Sequence, residues 1–379
     1  MKSILLGSTA LVAAVSVTGA AQAAQGVQLG LGGYYQGAAA VLFSQDDGTG
    51  QPGDHTRDVV FRQDVEIHFK GETTLDNGLT VGARIELEGQ QSDDQIDEVW
   101  AYFKGGWGQV RFGDDDEAYE QIGYLIPSAS LGLFGVDSPH FEFSNSKVGS
   151  VTGLQTNATV QKLTGDATKI IYFSPTFAGF SFAASYAPDR RGEDTYSYWS
   201  GPGGTTSSQN GNQVQDAFAA ALNFSHDFGD GVKLTSIGIG VGEGQWENVL
   251  GNQDDTTWVV RGHVIMAIDG FTIGGAGTYR HNYRNVAGVN NVDLWVAGAG
   301  ATYHWDAWTV GLGYSHGSYQ ISNDDDVDTL DIVELTGRYD LSPGIALEGM
   351  LGFHDYENDA TSVNDDRTWE GAVGFNIGF

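Results

Sequence analysis

The chain has 379 residues, with 18 Lys and Arg against 49 Asp and Glu, a net charge of −31. Such a balance excludes electrostatic attachment to nucleic acid or to an anionic surface, and it favours cations. Cysteine is absent, so neither disulfides nor thiol chemistry is available.

The N-terminus carries one basic residue, Lys2, and an apolar run from Ile4 to Val17, followed by Ala21-Gln22-Ala23. This pattern predicts a secretory signal peptide over 1–23, cleaved after Ala23. The run is shorter than the roughly 20 residues a membrane-spanning helix needs. The rest, 24–379, contains no other long apolar run and no domain boundary. Mean hydropathy is −0.23, as in a soluble protein, but a membrane β-barrel looks the same because only alternate residues meet lipid. Glycine (55 residues) is spread through the strand-like segments, as suits a curved sheet with bulges.

Alternation with a period of two recurs along the chain. The first strand is expected near Val27–Phe43. In Val65–Lys70, Val65, Ile67 and Phe69 oppose Glu66, His68 and Lys70. In Leu79–Glu88, Leu79, Val81, Ala83, Ile85 and Leu87 oppose Arg84, Glu86 and Glu88. Ile96–Lys104 and Val292–His304 carry bulky residues on both faces and are not oriented by pattern. Later, Ile345, Leu347, Leu351 and Phe353 oppose Glu348 and His354. In Arg367–Phe379, Trp369, Val373, Phe375, Ile377 and Phe379 share one face. An Arg or Lys on lipid near the midplane costs about 2–4 kcal/mol, so the charged faces must meet water.

Connections alternate in length. Short turns are predicted at Asp76–Gly78, Gly105–Gly108, Thr176–Ala178, Gly229–Gly231, Asp269–Gly270, Trp305–Ala307 and Leu341–Gly344, several with the Asn-Gly or Asp-Gly pair of hairpins. Long acidic loops are predicted near 45–57, 91–95, 114–167, 188–214, 243–255, 282–291, 320–328 and 357–366. Seven turns and eight loops give sixteen strands. The fold class is therefore all-β, a 16-stranded antiparallel transmembrane barrel. Trp107, Phe177, Trp258, Trp305, Trp308, Tyr314, Tyr339 and Trp369 sit near strand ends, where interfacial girdles place aromatic rings.

Three stretches, Phe69–Gly82, Asp97–Gly113 and Ile171–Phe180, together with the terminal Phe379, carry a family resemblance. The mature chain resembles the general diffusion porins of Gram-negative outer membranes, with the alphaproteobacterial branch nearest. The resemblance implies a homotrimer with three pores, a third loop (about 114–167) folded inward to narrow each pore, and recognition of Phe379 by the barrel-assembly machinery. It also implies that acidic residues of that loop face a basic cluster on the wall. Carried onto this chain, the acidic set is Asp114, Asp115, Asp116, Glu117, Glu120, Asp137 and Glu142. The basic set is Arg62, Arg84, Arg111 and Lys70, with Arg261 and Arg280 as further wall candidates. Leu131, Leu133 and Phe134 suggest a loop packed on a wall.

Outer loops hold carboxylate clusters. Asp324, Asp325, Asp326 and Asp328 are candidates for weak structural Ca²⁺ or Mg²⁺ sites, or for divalent bridges to lipopolysaccharide. No other cofactor is implied, and no hydrolase, zincin or P-loop motif is present, so the chain is not read as an enzyme. The expected function is a water-filled outer-membrane channel for passive diffusion of small hydrophilic solutes and ions, with a cation preference. The rivals are a substrate-selective channel and a plugged barrel acting as adhesin or enzyme.

Overall fold

In the computed structural model the alternating segments become sixteen strands. The structure describes residues 26–44, 59–89, 96–137, 157–190, 214–246, 256–283, 292–320, 327–357 and 366–379. The strands are β1 (Gln28–Ser44), β2 (Val59–Thr74), β3 (Thr80–Glu88), β4 (Ile96–Gly105), β5 (Gly108–Asp114) and β6 (Thr168–Phe173). They continue with β7 (Phe180–Asp189), β8 (Val214–Gly229), β9 (Val232–Trp246), β10 (Thr256–Ile268) and β11 (Phe271–His281). The last five are β12 (Leu294–Trp305), β13 (Trp308–Gln320), β14 (Val327–Ser342), β15 (Ile345–Glu357) and β16 (Asp366–Gly378). Each strand pairs antiparallel with its neighbours, and β1 pairs with β16 to close the barrel. The seven short turns fall where the sequence predicts them. The predicted signal segment lies outside the described residues, as does the greater part of the long loops.

Turn chemistry sets the tight end. Asp230 and Gly231 have φ of 50° and 80°, and Asp269 and Gly270 have 47° and 96°. Positive φ at both central residues matches the right-handed twist of the flanking strands. At the seam, the Gly33 amide donates to the Phe379 carbonyl at 2.9 Å and the Phe379 amide returns a bond to Gly33 at 3.0 Å. The Tyr35 and Phe375 rings stack there, 5.7 Å apart and nearly parallel.

The two faces of the wall differ as the alternation requires. On β16, Trp369, Val373 and Phe375 are exposed on the outside, while Glu370, Ala372 and Asn376 are buried within. Phe61, Phe112, Phe218, Ile239, Leu312 and Leu351 continue the apolar exterior round the barrel. Closure leaves no strand edge facing lipid. Near the turns, Trp107, Phe177, Trp305 and Trp308 are exposed, and Trp308 packs on Tyr339 at 4.6 Å. Towards the loops, Trp258 packs on Tyr279 and Trp369 on Phe353. These are the two girdles.

The two strands that pattern could not orient have specific partners inside. On β12, inward Leu294 and Val296 join an apolar cluster with Ile126 and Val136 of the β5–β6 connection. On β4, inward Trp100 lies under the Arg111 guanidinium at 4.1 Å, and the Tyr102 hydroxyl bonds Glu72. Bulk on both faces therefore marks places where the lumen side is covered by protein.

Candidate functional site in the barrel lumen

The β5–β6 connection begins with Asp115, includes the short helix α1 (Ala118–Gln121) and runs to Ala167. Its described parts, 115–137 and 157–167, touch inward-facing residues on widely separated strands. The Ala118 amide donates to Ser185 on β7 at 3.1 Å. Arg261 on β10 donates to the carbonyls of Tyr119 and Tyr124 at 2.9 and 3.0 Å. Arg280 on β11 donates to the Lys162 carbonyl at 2.7 Å. Asn157 reaches the Leu330 carbonyl on β14 at 2.7 Å, and the Ala129 amide donates to Thr336 on the same strand. Leu131 donates to Glu348 on β15. Leu133 and Phe134 are buried against Ala38, Ala40 and Leu42 of β1 and Met350 of β15. Only a segment lying inside the barrel can touch both β7 and β15.

Glycines on the inner wall make room for it. On β9, a Cβ at Gly240 would come within 2.4 Å of the Tyr119 Cβ, and one at Gly242 within 2.9 Å of both the Tyr119 ring and Leu163. On β12 and β13, a Cβ at Gly298 or Gly300 would meet Ile126, and one at Gly313 would meet Val136. Two of the alternating glycines of β9, Gly240 and Gly242, are thus a footprint of α1 as well as an aid to curvature.

The acidic residues divide into two groups. Asp114, Asp115, Glu117 and Asp137 are buried and tie the loop to itself and to the wall. Asp114 accepts from Thr168. Glu117 accepts from the Thr164 amide and hydroxyl at 2.5 and 3.0 Å. Asp137 accepts from the Ile126 and Thr159 amides and from the Thr159 hydroxyl. Asp115 pairs with Arg111 at 2.9 Å and accepts from Gln121. Burial pushes the Asp137 carboxyl up, against three hydrogen bonds that favour its charge.

The second group surrounds Lys162, whose Nζ is 2.6 Å from Asp116, 3.5 Å from Glu120 and 3.6 Å from Asp166. All four side chains are only partly shielded. Burial opposes the Lys162 charge, but Glu120, Asp116 and Asp166 outweigh it and raise its pKa. Burial, helped by Asp116 and opposed by Lys162, pushes the Asp166 carboxyl up to about 6. Burial, and then Asp116, holds the Glu120 carboxyl far above its ordinary range. Oxygens of Glu98 on β4 lie within 4.8 Å of Asp116 and Asp166, and those of Asp97 equally close to Glu66 and Glu88. Lys162 thus lies among more carboxyl groups than it can pair with, while Arg111 is taken up by Asp115.

Asp97 and Glu98 escape a strict alternation, which puts neighbours on opposite faces. Pairing steps from Ile85↔Val99 to Leu87↔Ile96, one residue longer on β4. That bulge lets both carboxylates reach the acidic region. Lys169 is a further residue that pattern does not reveal: buried, it donates to the carbonyls of Asp115, Gly165 and Ala167.

The basic wall residues have close partners. Arg84 pairs with Glu86 and contacts His68 at 3.0 Å. Lys70 is 3.2 Å from Glu72, and Arg62 is exposed. Glu142, Asp324, Asp325 and Asp326 lie outside the described residues. Asp328 is buried and accepts from the Tyr356 hydroxyl at 2.5 Å.

Comparison with known proteins fits this architecture. A family profile described as Gram-negative porin matches residues 7–360. The chain belongs to that family. As a porin it is a channel of the outer membrane, not an enzyme. The outer-membrane channel DcaP of Acinetobacter baumannii is similar at 13% identity, with 93% of this chain and 98% of that chain covered and a TM-score of 0.61. OmpT of Vibrio cholerae, in its trimer form, gives 13% identity, 94% and 100% coverage and a TM-score of 0.59. A Rh. blastica porin mutant gives 14% identity, 93% and 100% coverage and a TM-score of 0.53. Among curated protein sequences none matches.

Proposed function

We propose that this porin passes small hydrophilic solutes and ions by passive diffusion and prefers cations. The loop bound across the lumen narrows the path. The observation that carries the reading is that Lys162 lies against two carboxylates at once, with Nζ 2.6 Å from Asp116 and 3.6 Å from Asp166, so the group as a whole is acidic. Rings of like charge in a constriction bias ion selectivity, and low-dielectric walls strengthen their field. Of the basic wall residues, Arg84, Arg111 and Lys70 are already paired to carboxylates. The wall's net effect on a passing ion is therefore acidic.

Three further parts of the reading follow the family. The protein assembles as a homotrimer, as the OmpT form does. Phe379 serves the assembly machinery, and the acidic outer loops meet lipopolysaccharide through divalent ions. Neither a cofactor nor an energy source is needed for diffusion down a gradient.

Liposome swelling with sugars of rising size tests the solute range. A smooth decline in rate with size is expected. Rapid entry of one sugar among many of equal size would instead indicate a substrate-selective channel.

A further inference from the structure

Glu334 on β14, His354 on β15 and Glu370 on β16 converge on the inner face of three consecutive strands. The register explains why. Glu334 and Glu370 both lie opposite Gly352 on its two flanks, and His354 is two residues along from Gly352 on the same face. Gly352 leaves the space into which the side chains turn: a Cβ there would stand 2.9 Å from Glu370 Oε1 and 3.1 Å from Met350 Sδ. One ligand-type atom from each of the three residues lies within 4.8 Å of the others. All three residues are buried, with 3–4% of their surface exposed.

The surroundings do not suit bare carboxylates. Glu370 faces Leu42 across the seam, and Met350 lies just below, against Leu133 and Phe134. On the other side, Glu334 pairs with Gly313, whose inner face Val136 covers. Glu370 Oε1 is 3.0 Å from His354 Nε2, but its buried Oε2 has no hydrogen-bond partner among the described residues. The Glu370 carboxylate thus keeps one oxygen, with its share of the negative charge, buried without a hydrogen bond from the described residues. Such a charge calls for a cation or a bound proton.

We propose that Glu334, His354 and Glu370 form a binding site for one borderline divalent metal ion, of which zinc is the representative. One imidazole nitrogen and two carboxylate oxygens suit zinc or manganese better than calcium or magnesium, which favour oxygen alone. Small side-chain rotations close three such atoms on an ion at about 2.0–2.2 Å. The ion would cross-link β14, β15 and β16 beside the barrel seam, one step from the place where Leu133 and Phe134 dock.

The test uses the full chain in detergent, stripped with EDTA and titrated with zinc chloride by calorimetry. One zinc per chain is expected, with affinity weakened by roughly tenfold or more in His354→Gln and in Glu370→Gln. His68→Gln, which alters the separate Glu66–His68–Glu86 group, should leave it unchanged. Since a buried substitution can impair folding, wild-type crystals soaked in zinc give an independent readout. An anomalous peak at bonding distance from His354 supports the site. No saturable binding by the wild type, binding unchanged in both variants, or a peak only at His68 or the surface overturns the proposal.

Discussion

At the scale of single residues, the charges in this lumen do two different kinds of work. Glu117, Asp137, Arg261, Arg280 and Lys169 hold backbone groups of the loop, and a buried ion left without such a bond is costly. Asp116, Asp166 and Lys162 keep partial access to water and can act on passing ions. Their titration gives a testable sign. Asp166, with its pKa raised to about 6, is largely ionised at pH 7.5 and largely protonated at pH 5. Lowering the pH across that window removes negative charge from the narrow region. The permeability ratio of K⁺ to Cl⁻ in planar bilayers should therefore fall between pH 7.5 and 5, and fall less in Asp166→Asn. The same raised pKa means that the folded state holds more protons than the unfolded chain between about pH 4 and 6. Over that range the Asp166 contribution to stability declines as pH rises.

At the scale of elements, the strands and turns were legible because their signals are local. Asp-Gly pairs marked Asp230–Gly231 and Asp269–Gly270, and alternation oriented β3, β15 and β16. The charge partition was less legible, because it depends on where distant segments meet. A bulge in the β3–β4 pairing brings Asp97 and Glu98 to one acidic region, and no local pattern announces it. Lys169 sits in an ordinary strand start and only the returning loop gives it carbonyls to bind. The glycine run of β9 did carry a usable signal, since small residues on an inner face imply something pressed against them. Gly240→Val should crowd Tyr119 and displace α1, at a cost of about 1–3 kcal/mol, while leaving the sixteen strands intact. Larger or noisier single-channel conductance with an unchanged far-UV spectrum is the expected result. The seam supplies another prediction: deleting Phe379 removes the paired bonds to Gly33 and the proposed assembly signal. The yield of heat-modifiable barrel on gels should drop sharply, with near-normal conductance in the barrels that form.

At the scale of the whole molecule, one closed sheet separates two environments. Phe61, Phe218, Ile239, Leu312 and Leu351 meet lipid, and the inner face meets water and a loop bound from β7 to β15. A chain with net charge −31 favours cations over anions near it, and the region around Lys162 places part of that bias in the lumen. Screening over about 8 Å at physiological ionic strength confines the effect to ions passing close to the carboxylates, so selectivity should weaken at high salt. The most direct measurement is the reversal potential of the purified protein in a planar bilayer under a tenfold KCl gradient at low ionic strength. The account predicts a potential of the sign set by K⁺ permeation, reduced in the triple variant Asp116→Asn, Glu120→Gln, Asp166→Asn. A potential set by Cl⁻, or one unchanged by the triple substitution, would contradict it.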